Sequence, residues 1–154
     1  MEGKLTNMEN AREVDQRSRM ELSEENKKCI FCEEGLKEIH KLPILQENNT
    51  FFVTDNAFPY PGTNHHVLII PKKHISNILE IDTESWGDLK QMIEWVVKER
   101  NLEGASLFLR FGNSKFTCGS LSHLHFQILV GDSHQDEPKE NREKLLVPLG
   151  WKTK

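Results

Sequence analysis

Apolar residues are thinly spread over positions 1–28. Met8, Val14, Met20 and Leu22 give only a narrow stripe in a charged run without aromatics. Such a stripe predicts a polar N-terminal arm, helical or disordered, lying outside the core. The pattern thickens at Cys29-Ile30-Phe31-Cys32, and the folded domain is expected over 29–154 with a polar C-terminal tail. A short helix is read from Glu33 to His40, broken ahead of Pro43. Thr50 to Thr54 carries aromatic and β-branched residues and predicts a strand. Pro59, Pro61 and Gly62 punctuate the stretch from Asp55 to Asn64 as a loop. His66 to Ile70 is apolar at successive positions, as a strand buried on both faces should be, and Pro71 stops it. Asp82 or Thr83 caps a helix reaching about Glu99, on which Trp86, Leu89, Ile93, Val96 and Val97 recur every three or four residues. Ala105 to Phe111 and His123 to Val130 complete the strands. Hairpin-linked strands with one long helix predict an α+β domain: an antiparallel sheet with that helix on one face.

The last strand changes the picture from fold to chemistry. His123-Leu124-His125-Phe126-Gln127-Ile128 alternates strictly, and successive strand side chains point to opposite faces. His123, His125 and Gln127 therefore share one face, spaced roughly 6–7 Å apart, which spans a phosphate group and its substituents. Leu124, Phe126 and Ile128 share the other face and pack toward the helix. A plain solvent face more usually carries Lys, Glu, Thr or Ser, and two imidazoles and an amide in a row are costly to bury without partners.

A second feature is the short-spaced pair Cys29-x-x-Cys32, which alone is compatible with metal binding, redox chemistry or neither. Redox use would want a strand before the pair, and none is read there. Zinc would need two more ligands, with His40, His65, His66, His74, His123, His125 and His134 as candidates. The composition narrows the partners. A net charge of -4 over 154 residues gives no basic footprint for duplex nucleic acid, while small anions need only a local cradle. No apolar run is long enough to cross a bilayer, and the start lacks a signal-peptide core, so no membrane association is expected. With three cysteines a disulfide framework is not expected, and a reducing cytoplasm is the default location.

Three stretches occur in an order that resembles the histidine-triad superfamily, over Cys29 to Gly131: Cys29-Ile30-Phe31-Cys32, His66-Val67-Leu68-Ile69-Ile70-Pro71-Lys72-Lys73-His74-Ile75, and His123-Leu124-His125-Phe126-Gln127. The resemblance implies a sheet of about five antiparallel strands with a helix packed on it, and, since many relatives pair, a homodimer. It implies that His125 attacks an α-phosphorus and forms a covalent nucleotidyl-imidazole. It puts Ser120 and Asn113 at the phosphates, Asp55 or Asn56 at the ribose, and His66 at the head of the central strand beside the catalytic row. Cys29, Cys32, His74 and His123 would form a closed, structural Zn2+ site.

Gln127 stands where triad hydrolases carry histidine, and an amide cannot act as a general acid. His-x-His-x-Gln resembles the hexose-1-phosphate uridylyltransferases and dinucleoside tetraphosphate phosphorylases, whose acceptor is itself a phosphate. The expectation is nucleotidyl transfer or phosphorolysis at the α-phosphate of a dinucleoside polyphosphate or nucleoside-phosphate compound. Hydrolysis of the same bonds is the rival, and a non-catalytic nucleotide-binding sensor is the reading from a different class. Phe51 or Phe58 would flank a purine, and Lys72 and Lys73 are read as solvated.

Overall fold

The computed structural model describes residues 4–133 and 136–154; His134 lies outside them. Its centre is a five-stranded antiparallel sheet in the order β1-β2-β3-β5-β4. The strands are β1 (Gln46–Glu47), β2 (Phe51–Asp55), β3 (Thr63–Pro71), β4 (Ser106–Leu109) and β5 (Phe126–Gly131). Register follows the pleat, with Val53 opposite Ile69, Leu68 opposite Gln127, and Phe108 opposite Gln127 on the other side of β5. The expected α+β architecture is the one observed.

The unbroken apolar run in β3 is explained by two separate cores, one on each face of the sheet. Phe51, Val53, Val67 and Ile69 point to one side, where they meet Leu124, Phe126 and Ile128 and the helix α3 (Ser85–Glu99). Phe52, Leu68 and Ile70 point to the other, where they meet Ile30, Phe31, Leu36, Ile39 and Met20. Asp82 starts α3 as read: its carboxylate accepts the Ser85 backbone N–H and hydroxyl, each at 2.9 Å, and these bonds hold its carboxyl below the usual range. The buried stripe of α3 runs through Leu89, Met92 and Val96, whereas Trp86 and Val97 are 44% and 39% exposed.

The second core corrects the exclusion of the N-terminal arm. Helix α1 (Val14–Glu25) buries Met20 and Ser23, and Met20 is only 1% exposed. Burying a side chain of that size contributes about 2 kcal/mol. Thr6 is buried too, and its backbone N–H and hydroxyl both donate to Glu24, at 2.7 and 2.8 Å. Apolar periodicity missed this because most of the arm's contacts are polar.

Several boundaries shift. The stretch read as one helix is a single turn, α2 (Glu33–Gly35), that widens into a π-type turn over Leu36–His40 and stops at Lys41, whose φ is 62°. β5 begins at Phe126 and not at His123, because β3 ends on Pro71, which has no N–H to continue the ladder. The backbone of Leu124 donates instead to the carbonyl of Ile75 (2.7 Å). The short edge strand β1 was not read at all. Among the described residues no helix is long and apolar enough to cross a membrane.

Candidate functional site

The end of β3 fixes the first histidine of the row. His123 is 1% exposed, and its Nε2–H donates to the Pro71 carbonyl at 2.8 Å. That bond leaves the Nδ1 lone pair free to face Cys29 Sγ at 3.4 Å and Cys32 Sγ at 3.6 Å. His74, just past the strand end, brings its Nδ1 to 3.4 Å from Cys32 Sγ. All four donor atoms lie within 4.8 Å of one another. A tetrahedral ion with zinc-like bond lengths sets sulfur and nitrogen ligands about 3.6 Å apart, so the cluster is dimensioned to hold a metal ion. Without a cation, burial and the neighbouring Cys32 push the Cys29 thiol up to about 12, so uptake of a divalent ion would release protons.

Gly35 lets the cysteine turn close. A Cβ at this position would lie 1.9 Å from the Cys29 carbonyl oxygen and 2.8 Å from the Ile30 carbonyl carbon. Only glycine allows α2 to lie directly on Cys29–Ile30.

His125 follows on the same side of the chain, with the Phe31 ring edge-on at 5.0 Å between centroids. Its Nδ1–H donates to the backbone carbonyl of His123 at 2.8 Å, since a carbonyl only accepts, and this leaves the lone pair on Nε2. Burial, with Arg110 adding to it, pushes the His125 pKa down to about 4, so the imidazole is neutral near pH 7. The third member of the row is oriented through His66. The Tyr60 N–H donates to His66 Nδ1 (3.3 Å), which places the His66 proton on Nε2, and that donates to Gln127 Oε1 (2.8 Å). Gln127 therefore turns its NH2, a pair of donors, away from His66.

A cleft opens over this row, lined by His125, Gln127, Ser120, Asn56, Phe58 and Tyr60 together with residues of the arm. Asn56 lies against His66 (3.0 Å) and accepts the Phe58 N–H. Ser120 receives the Gln16 side-chain amide at 3.4 Å. Two expected ligands are not brought here. Asp55 is turned to Arg100, whose Nη2 donates to its two carboxylate oxygens at 3.0 and 2.9 Å. Asn113 is exposed and accepts the Lys115 N–H, capping a short turn outside the cleft. Phe51 belongs to the α3-side core, so of the two phenylalanines only Phe58 faces the cleft. Lys72 pairs with Glu47.

Sequence reading missed Arg12, Arg19, Tyr60 and Arg110, all of which line the cleft. Arg12 stands 4.1 Å over the Tyr60 ring, Arg19 stands 5.0 Å over Phe58, and Arg110 donates to the Tyr60 hydroxyl at 2.8 Å. The three arginines face no carboxylate among the cleft residues. A signal existed: Arg12, Gln16, Arg19 and Ser23 recur at helical spacing as a polar stripe, which a search for apolar stripes passes over.

Residues 28–142 match the family described as scavenger mRNA decapping enzyme C-term binding. The chain is 27% identical over 123 residues to an adenosine 5′-monophosphoramidase of Schizosaccharomyces pombe, across 80% of this chain and 82% of that one. It is 31% identical over 74 residues to an uncharacterized HIT-like protein of Helicobacter pylori, across 48% of this chain and 71% of the other. Among solved structures, a HIT family hydrolase from Clostridium thermocellum superposes with a TM-score of 0.55 at 27% identity, covering 72% of this chain and 95% of that one.

Proposed function

Because the chain belongs to the histidine-triad superfamily, we propose that it is a nucleotide-binding enzyme that hydrolyses a bond at an α-phosphate through a nucleotidyl intermediate on His125. The observation that carries this reading is the bond from His125 Nδ1–H to the His123 carbonyl, which presents a neutral Nε2 lone pair to an arginine-lined cleft. In the first step that lone pair attacks phosphorus, the bond to the leaving group breaks, and the leaving group departs with the electron pair. In the second step a water oxygen attacks the same phosphorus, the N–P pair returns to Nε2, and the water proton passes to the released products. The net reaction is substrate plus water giving a nucleotide and the freed leaving group.

Gln127 offers its NH2 to a phosphoryl oxygen as charge builds on it, and His66 holds that amide in place. Ser120 serves the same phosphate, Asn56 the ribose, and Phe58 the base. Hydrolysis takes precedence over transfer because a relative bears the name adenosine 5′-monophosphoramidase. Gln127 supports phosphate as an alternative second acceptor, since a phosphate needs no general acid.

The two thiols and two imidazoles of Cys29, Cys32, His74 and His123 suit Zn2+. When bound, zinc would supply folding energy in a closed site. His123 would then be fixed from both sides, by the ion at Nδ1 and by Pro71 at Nε2, and its carbonyl would hold the His125 tautomer. Three free thiols fit a reducing compartment such as the cytoplasm. Half-exposed Leu107 on edge strand β4 supports pairing with a second copy. Three arginines in the cleft of a chain of net charge -4 support a small anionic partner over duplex nucleic acid.

The test is mass spectrometry of protein quenched after brief mixing with adenosine 5′-monophosphoramidate and, separately, diadenosine tetraphosphate. An AMP adduct mapping to His125, lost in His125→Ala, is the expected result. Faster decay of the adduct with added phosphate would assign the transferase chemistry. An adduct persisting in His125→Ala would overturn the mechanism.

A further inference from the structure

One wall of the cleft comes from a segment outside the family match, which begins at residue 28. Residues of the arm are tied to the loop that precedes His123. The Asn7 N–H donates to the Ser120 carbonyl (2.8 Å), the Ser122 N–H to the Leu5 carbonyl (2.9 Å), and the Asn10 amide to the Gly119 carbonyl (2.7 Å). Beyond this clamp, Arg12 reaches across to Tyr60 and donates to the Phe58 carbonyl at 2.5 Å. Arg110 reaches the same tyrosine from the other end of the sheet. Its Nε donates to the Thr117 carbonyl (2.7 Å) and its Nη2 to the Tyr60 hydroxyl and the Pro148 carbonyl (2.8 and 2.5 Å).

Tyr60 is in turn stacked on His66 at 5.2 Å, with 13° between the ring planes, and His66 holds Gln127. A column thus runs from the catalytic row outward: Gln127, His66, Tyr60, then two guanidinium groups. No carboxylate of the cleft neutralises them. Cations gathered without counter-charge repel one another and favour an anion that enters between them. Arginine is always charged and presents a planar fork that suits phosphate oxygens.

The chemistry of the row points the same way. Gln127 stands where an acid would protonate a departing amine, and it cannot do so. Arginine cannot donate a proton either, but it stabilises a leaving group that departs as an anion. We propose that Arg12 and Arg110, meeting at Tyr60, form a second anion subsite beside His125 that holds the phosphate next to the one attacked. The preferred substrates are then nucleotides whose leaving group carries a phosphate, unlike the phosphoramidate in a relative's name. The arm, through Arg12, sets that preference.

This inference rests on the His125 reading for its meaning, but its test needs no turnover. Wild type and Arg12→Ala are titrated with AMP and with α,β-methylene ADP, a stable nucleoside diphosphate, and the ratio of the two dissociation constants is read. Wild type should favour the diphosphate by about tenfold, the scale of one charge-assisted phosphate contact. Arg12→Ala should bring the ratio below about twofold. Arg12→Lys, which keeps the cation, should restore most of it. Arg12→Gln, which keeps a donor for the Phe58 carbonyl, covers the case in which the alanine variant does not fold, and should lose the ratio as alanine does. A wild-type ratio near one, or a ratio that the alanine and glutamine variants leave intact, would overturn the subsite. A normal ratio in wild type with no adduct at His125 would instead overturn the hydrolytic reading and leave the subsite standing.

Discussion

Gly35→Ala separates two physical effects of opposite sign. Gly35 has φ -65° and ψ -34°, ordinary helical angles. Helix propensity alone therefore predicts that alanine stabilises the chain by up to about 1 kcal/mol. The contact predicts the reverse. The added Cβ would stand 1.9 Å from the Cys29 carbonyl oxygen and 2.7 Å from its carbonyl carbon, and these backbone atoms cannot swing aside. Restoring ordinary contact needs a displacement of about 1.5 Å, and overpacking of that kind costs about 1–3 kcal/mol. The same displacement carries Cys29 Sγ away from His123 Nδ1, now 3.4 Å distant, whereas metal–ligand distances tolerate only about ±0.2 Å. The variant should therefore unfold at lower urea even in chelator. Its zinc affinity, read by competition with a chromophoric chelator, should fall at least about 100-fold, the upper end of what losing ligand support costs. A variant as stable as wild type in chelator, with unchanged zinc affinity, would refute both the close approach and the assignment of Cys29 as a ligand.

Two further substitutions probe the rest of the fold. Met20→Ala, monitored by urea denaturation, should cost about 2–4 kcal/mol, the range for emptying a buried site of that size; a cost under about 0.5 kcal/mol would show that the arm is not packed on the second core. Stability should also fall below neutral pH. His40 is buried, with its Nε2–H on the Thr54 hydroxyl (3.0 Å), and burial, with Arg19 adding to it against Asp55, pushes its pKa down to about 4. Between that value and about 6.5, where histidine titrates in an unfolded chain, the unfolded state binds more protons, so stability is complete above the window and is lost as pH falls through it. From pH 7 to pH 5 the loss from His40 is about 2 kcal/mol, and His40→Gln should flatten the urea midpoint against pH by that amount. Parallel curves for the two proteins would show that His40 is not the neutral, buried group described.

The parts of the molecule that could be read from sequence are those governed by short periods. Alternation put His123, His125 and Gln127 on one side and Leu124, Phe126 and Ile128 on the other, and the structure keeps that division even though the ladder starts only at Phe126. The uninterrupted apolar run of β3 announced a strand covered on both faces. What periodicity could not show was the identity of the second cover. Residues 4–25 bind through backbone carbonyls of Gly119 and Ser120 and through guanidinium groups over aromatic rings, interactions with no hydrophobic signature. Asp55 illustrates the opposite limit. Its position beside Asn56 made it an equal candidate for the ribose, yet strand alternation turns neighbouring side chains to opposite faces, and Arg100 at the end of α3 takes its carboxylate.

The clamp between the arm and the cleft loop also constrains the order in which the chain can finish folding. The Ser122 hydroxyl donates to the Lys4 carbonyl across 118 residues of sequence, and Asn7 reaches Ser114 across 107. Contacts of such separation are closed at a high entropic cost and form slowly. During synthesis the arm emerges early and waits for its partner loop, leaving the second face, with Phe52, Leu68 and Ile70, only partly covered by Ile30, Phe31, Leu36 and Ile39 until Met20 docks. The cleft is therefore the last part of the molecule to acquire its walls, and an interrupted chain would present a sticky sheet face well before it presented a binding site.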